Sequence, residues 1–433
     1  MKKLRISLAL LLVLALFAGC TQETAEPTED MEKPAETDAT EEVADEPVST
    51  EPLQMLWWND GIEGEVMQGI LDTYEAETGV KIELVVLGWD DYSAKLKTMI
   101  RGGEAPALAR ATEGTIMEFN EFLVSLDGLY DSSDFTNIYT NKAGEIVSLP
   151  MDLTSNGMFF NKELFDKYEI NYPTGDQVWT WAEFEAEMTK LEGKDDVTYP
   201  GVFDNKAHRF MPLVYQNGGK LWEEAFTVSG LTSPEAVEAL TTLQRMNTNG
   251  TLDPAVWAGS AKPNELFSTG QYGFHMSGNW FVAGYQDLGF EWGVVPMPIG
   301  NGENATRSTI LGGKAMVALA DSGQEEEAKK FIEYLGKAEV HDLYTGGVPF
   351  LSPRISSSID FGDYQAAYEV FQSEIANTPV ENVADWQKQV EIAGMYPIIN
   401  AAVEDAMGGK DVTEVLNQLA EDLIEKAAEL GLE

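Results

Sequence analysis

The chain has 433 residues, with 28 Lys and Arg against 73 Asp and Glu, a net charge of −45 and a mean hydropathy of −0.20. That balance excludes a protein that wraps nucleic acid, because phosphate binding needs clustered Lys and Arg. The length exceeds one typical domain, so two lobes are expected, with a solvated acidic surface suited to saline or alkaline surroundings.

Lys2, Lys3 and Arg5 precede an apolar run from Ile6 to Phe17, followed by Ala18, Gly19 and Cys20. This is the order of a secretory signal, too short to stay as a spanning helix. Cys20 is the only cysteine, so no internal disulfide is expected. Small residues before a lone cysteine resemble the lipobox of bacterial lipoproteins, with Phe17 where that pattern usually carries Leu. The resemblance implies removal of 1–19, lipidation of Cys20 and a protein anchored on the outer side of the cell membrane. A plain secretory signal with an incidental cysteine is the alternative. Residues 21–52 hold twelve acidic residues, one Lys and no aromatic, the composition of a disordered tether. Such a segment spans roughly 30 Å as a coil and roughly 100 Å when extended. It has no polybasic stretch to grip anionic lipid.

From Leu53 the composition becomes globular. Leu53–Trp58 reads as a strand ending at Asn59, Asp60 and Gly61; Val66, Ile70, Leu71 and Tyr74 recur at helical spacing up to Gly79. Ile82–Leu87 is a second strand, and Tyr92–Arg101 a second helix closed by Gly102 and Gly103. Strands alternating with helices predict an α/β fold with a parallel sheet and right-handed crossovers, whose ligands gather at the carboxyl ends of strands. Helices are predicted over 181–191, 233–247 and 324–335, with Ser233 as cap and Pro234 at the first helical position. Val412, Val415, Leu416, Leu419, Leu423 and Ile424 share one face of a last amphipathic helix over 412–432.

Several blocks then fall in a familiar order: Glu75–Gly79; Gly103–Ala107; Leu149 to Asp152 and on through Phe160–Phe165; Thr180–Phe184; Asn217–Gly219; Phe267–Trp280; Trp292–Pro298; and Val348 and Pro349 to Arg354. Together they resemble the extracellular solute-binding lipoproteins of ABC importers, in the sugar-binding group that includes maltose-binding protein. The resemblance implies a two-lobed periplasmic-binding-protein-like fold. Its lobes would be 53–152 with 313–346, and 153–312 with 347–433, joined by hinge segments near Asp152, Gly312 and Gly313, and 346–348. It also implies capture of a mono- or oligosaccharide between the lobes, as a monomer, for delivery to a permease.

Sugars present flat CH faces and hydroxyl edges, so aromatic walls and a few polar groups are wanted. By position in the family blocks, Trp280 is expected to stack on sugar, with Asn279 beside it; a core tryptophan is the alternative. Trp58, Asn59 and Asp60 follow the first strand, as hydroxyl contacts or as turn residues that cap the backbone. Trp89 and Tyr92 follow the second strand, and Glu113 the third. Asp152 sits on the first crossing, where a carboxylate is costly without a partner. Trp257 is a second candidate stacking surface. Gly312 and Gly313 admit close backbone approach or permit the hinge. Arg354 would bind hydroxyls or form an interlobe ion pair. His208 and His275 are expected to be structural, and Trp179, Trp222 and Trp386 to serve packing or the rim.

No catalytic constellation is apparent. There is no G-x-S-x-G, no H-E-x-x-H and no G-x-x-x-x-G-K-[ST], and three His with one Cys disfavour zinc. No cofactor or metal is expected. Asp90 with Asp91 and Asp195 with Asp196 are adjacent carboxylates, which point apart, whereas a retaining glycosidase pair converges to about 5 Å. A glycoside hydrolase, a surface adhesin, a signalling receptor, and a binder of polyamine or sugar phosphate are the remaining alternatives.

Overall fold

The computed structural model describes residues 51–59, 61–348, 350–388 and 395–432. The leader, Cys20 and the tether up to residue 50 lie outside them, as do Asp60 and Pro349 and the side chains of Trp89 and Asp90. The strands are β1 Leu53–Trp58, β2 Ile82–Leu87, β3 Leu108–Thr112, β4 Leu149–Thr154, β5 Asn156–Asn161, β6 Tyr199–Phe203, β7 Trp222–Glu224, β8 Val228–Ser229, β9 Tyr272–Gly278, β10 Trp292–Val295 and β11 Gly312–Ala318. They form a five-stranded sheet ordered β2-β1-β3-β11-β4, a four-stranded sheet ordered β10-β5-β9-β6, and the small β7-β8 pair.

β1 is apolar at five of its six positions because both faces of its sheet are covered. Leu53, Met55 and Trp57 point to one core, shared with Met67, Ile70 and Tyr74 of the Glu63–Thr78 helix and with Phe331 and Tyr344. Leu56 and Trp58 point to the other, with Tyr92, Leu96 and Val317. This is the period of two expected of a strand. The second sheet repeats the scheme: Met158 and Phe160 face one core, Phe159 the other.

Parallel pairing holds for β2-β1-β3 and for β6-β9. β11 instead runs antiparallel to both β3 and β4, and β5 is antiparallel to β9 and β10. β11 is reached from the second sheet and enters the first from the end at which β3 finishes, so it travels against the strands made by local strand–helix–strand connections. The expected helices form at Trp181–Met188, Pro234–Thr248, Glu325–Leu335 and Val412–Glu429, and the Ser233 hydroxyl accepts the Ala236 N–H as predicted of a cap.

β4 passes into β5 through Ser155, so the chain leaves the first sheet for the second within one residue. It returns along 309–312 into β11. A later passage runs from Phe350, in the first core, to Leu351, in the second. Leu351 pairs with Leu153, and Arg354 then pairs with Phe135. No helix among the described residues is long and apolar enough to cross a membrane.

Candidate functional site

The strand ends of the first sheet converge on a buried charge cluster. Asp152 has no exposed surface; its carboxylate stands 3.5 Å from the Arg110 guanidinium and 3.6 Å from Lys314 Nζ, and it accepts the Lys314 N–H at 3.1 Å. Arg110 donates to the Trp58 carbonyl at 2.7 Å and lies over the rings of Trp57 (4.9 Å) and Trp58 (4.6 Å). The Lys314 ammonium sits 4.0 Å over Phe350. Two cations are thus the partners that the carboxylate on the crossing requires.

Trp58 is turned inward at 1 % exposure, edge-on to Tyr92 at 4.6 Å, and the Tyr92 hydroxyl donates to the Arg110 carbonyl. Asn59 is exposed, and its Oδ1 accepts both the Trp57 indole N–H (3.0 Å) and the Gly64 N–H (2.9 Å), which caps the Glu63–Thr78 helix. Asn59 also borders a shallow depression of about 520 Å³ with Glu65, Gln68 and Asp72 on the outer side of that helix. Glu113 opens the Glu113–Glu118 helix after β3 and is buried; burial raises its pKa to about 8, against a hydrogen bond from Tyr139 that lowers it. It is therefore mostly protonated at neutral pH and can donate a hydrogen bond as well as accept one.

Gly312 and Gly313 open β11 opposite Thr154 and Leu153. A Cβ on Gly313 would stand 2.4 Å from the Asp152 carbonyl oxygen, and one on Gly312 would stand 2.7 Å from Thr154 Oγ1. The two crossing strands approach too closely here for side chains.

In the second lobe, β9 ends at Gly278, followed by Asn279 and Trp280. Asn279 is buried and grips the first crossing: its Oδ1 accepts the Ser155 N–H at 3.0 Å, and its Nδ2 donates to the Leu153 carbonyl at 3.2 Å. Trp280 is partly exposed and packs against the core of the first sheet, which puts its indole on the boundary between the lobes. The ring folds back over Gly278, where a Cβ would lie 1.9 Å from it. Arg209 covers the indole at 4.5 Å. His208 stands edge-on to it at 6.3 Å, and Tyr396 continues the row 5.4 Å beyond His208. His208 and Tyr396 are partly exposed. Desolvation of the ring by the groups packed around it, and then the charge of Arg209, hold the His208 pKa well below the usual value, so it presents a neutral ring.

Trp257 stacks on Phe203 at 6.5 Å, against the core of the second lobe. Arg354 is held on all sides: it pairs with Asp134 (3.1 Å) and Asp342 (2.7 Å) and donates to the Ala338 carbonyl and Ser356 Oγ. His275 is fully buried between Asp204 and Tyr285, and Trp179, Trp222 and Trp386 are buried. Arg110, Arg209 and Tyr396 did not stand out from the sequence. The two arginines carried a signal, since each is the one Lys or Arg in a mostly apolar element, Leu108–Thr112 and Ala207–Gln216.

Trp280, His208 and Tyr396 thus form a partly exposed, uncharged aromatic cluster that starts at the lobe boundary, beside buried cations that pair with carboxylates. Such a surface offers flat apolar contact rather than a nucleophile or a proton relay. Among the described residues no group of three or more His, Cys, Asp or Glu could hold a metal ion.

The profile of the family described as bacterial extracellular solute-binding protein matches residues 58–342. The chain is 21 % identical over 407 residues to the galactooligosaccharide-binding protein of Bacillus subtilis, covering 86 % of this chain and 89 % of that one. It is 23 % identical over 308 residues to the sn-glycerol-3-phosphate-binding periplasmic protein of Pectobacterium atrosepticum, covering 65 % and 68 %. Among solved structures, the GacH receptor of Streptomyces glaucescens, determined unliganded and with acarbose, superposes with a TM-score of 0.73 at 20 % identity, covering 88 % of this chain and all of that one. The chain belongs to the bacterial extracellular solute-binding protein family.

Proposed function

We propose that this chain is a receptor anchored to the membrane through Cys20 that captures a neutral oligosaccharide between its lobes and delivers it to an ABC transporter permease. The aromatic cluster at Trp280 carries this reading: His208 meets the Trp280 indole edge-on at 6.3 Å, and Tyr396 lies tilted against His208 at 5.4 Å. A relative that binds galactooligosaccharide and a neighbour of like fold solved with acarbose support it. The glycerol-phosphate relative raises an anionic solute as the competitor. Against that, Arg110 and Lys314 face Asp152, Arg209 faces Asp204, and Arg307 faces Glu374, so the buried cations near the crossings already have carboxylate partners. The lobes hinge where β4 meets β5, where 309–313 re-enters the first sheet, and between Phe350 and Leu351.

Binding at micromolar strength corresponds to about −8 kcal/mol, within reach of two stacked rings and several hydrogen bonds. Sugar bridging both lobes favours the closed form only by its difference in affinity for the two forms. A thermal-shift screen of the mature chain with lactose, maltotriose, galactobiose, glycerol 3-phosphate and spermidine tests the solute class. A saturating ligand at about 100 times its Kd adds about 2.7 kcal/mol of stability. Stabilisation by a neutral sugar is expected; stabilisation by glycerol 3-phosphate or spermidine alone overturns the reading. Cys20→Ala should move the protein from the membrane fraction to the medium or periplasm.

A further inference from the structure

The Trp280 indole rests on a buried charge. Arg209 lies in the Ala207–Gln216 helix among buried Phe210, Met211, Leu213 and Val214, and is itself 1 % exposed. An apolar side chain would fill that place without the cost of desolvating a guanidinium, so packing alone does not call for arginine. The charge is instead fully engaged. Arg209 Nε pairs with Asp204 at 3.1 Å, Nη1 donates to Asn156 Oδ1 at 2.6 Å, and the guanidinium plane lies 4.5 Å over the Trp280 ring. Asp204 is fixed in turn by the Ser277 hydroxyl (2.6 Å) and by His275 (2.7 Å), whose other ring nitrogen meets the Tyr285 hydroxyl.

Asn156 is the first residue beyond the first crossing. Its N–H donates to Thr309 Oγ1 at 2.8 Å, and its Nδ2 donates to the His208 carbonyl at 3.2 Å. It therefore ties the first passage between lobes to the second, and both to the helix that bears Arg209. Trp280 reaches the same crossing by a separate route, because its neighbour Asn279 accepts the Ser155 N–H.

We propose that Arg209 is a positioning residue for solute capture, holding the plane of the Trp280 indole and linking that ring to the interlobe crossing through Asn156. The inference rests on the reading of the cleft as a stacking site. A planar guanidinium can meet a ring face and two acceptors at once, whereas a lysine ammonium is a point donor without a flat face. A sugar that loads the indole then also loads the segment about which the lobes turn.

The test uses the mature chain with wild-type residues, Arg209→Lys, Trp280→Phe and the double variant. Acrylamide quenching without ligand isolates Trp280 as the difference between each background and its Trp280→Phe partner. The Trp280 quenching constant should at least double in the Arg209→Lys background. Calorimetry with the neutral sugar that stabilises the wild type most should show a loss of about tenfold for Arg209→Lys, and a double-variant loss smaller than the product of the two single losses. Unchanged quenching together with multiplicative losses overturns the proposal and leaves Arg209 a structural charge. Changed quenching in a chain that binds no neutral sugar refutes the solute reading while the ring-holding role stands. Should Arg209→Lys fail to fold, Asn156→Ser cuts the link to the crossing and spares the ion pair. It should lower affinity about threefold or more, and unchanged affinity overturns the link.

Discussion

Replacing Asp152 by Asn tests whether the charge cluster at the first crossing holds the fold together there. The substitution keeps size and one acceptor for the Lys314 N–H, and removes only the negative charge that faces Arg110 at 3.5 Å and Lys314 at 3.6 Å. At an effective dielectric of about 20, each pair is worth about 4–5 kcal/mol of Coulomb attraction before the cost of burying the ions. Breaking a buried pair from one side costs about 3–5 kcal/mol net, because the surviving cation loses that counter-charge while it stays out of water. Arg110 has no exposed surface and cannot turn to water, whereas Lys314 has partial access. The unfolding entropy of a folded unit of about 385 residues is about 0.8 kcal/mol/K, so Tm should fall by about 4–6 °C. Differential scanning calorimetry at neutral pH reads this directly. A fall under about 1 °C would refute the reasoning, since the cations would then need no counter-charge.

Other outcomes follow from the same geometry. Glu113 keeps its proton in the fold up to about pH 8 but releases it near 4.5 when unfolded, so its contribution to stability is complete below 4.5 and is lost as pH rises through 8. Glu113→Gln, which cannot ionise, should gain stability over the wild type between pH 5 and pH 8.5, seen as a growing Tm difference; an equal difference at both pH values contradicts the shift. Gly313→Ala meets the Asp152 carbonyl and should cost about 1–3 kcal/mol, whereas Gly312→Ala meets the Thr154 hydroxyl, which can rotate away, and should cost less; chemical denaturation ranks them. Tyr396→Ala should weaken calorimetric binding of an oligosaccharide about tenfold and of a monosaccharide much less, because only the longer ligand reaches the far end of the row.

The local part of the architecture was legible in the sequence. Leu53–Trp58 read as a strand because its apolar run is of strand length and stops at Asn59, Asp60 and Gly61, and Ser233 with Pro234 marked a helix start. The direction of β11 was not legible, because a strand's own pattern does not state which distant neighbour it joins or in which sense. Trp280 stood out by its place in a family block, yet the rings beside it did not. His208 and Tyr396 lie far apart in the chain, and only the packing of two helices brings them to 5.4 Å. Arg354 shows the reverse. Its position suggested a ligand contact or an ion pair between lobes, and its geometry spends every described donor on Asp134, Asp342, Ala338 and Ser356.

Small-angle X-ray scattering of the mature chain, with and without the neutral oligosaccharide that stabilises it most, tests capture between the lobes most directly. A radius of gyration that shrinks on saturation, and no longer shrinks in Trp280→Ala at the same sugar concentration, is expected. A saturated protein whose radius of gyration does not change, or a chain that no neutral oligosaccharide saturates, would contradict a clamp that closes on sugar.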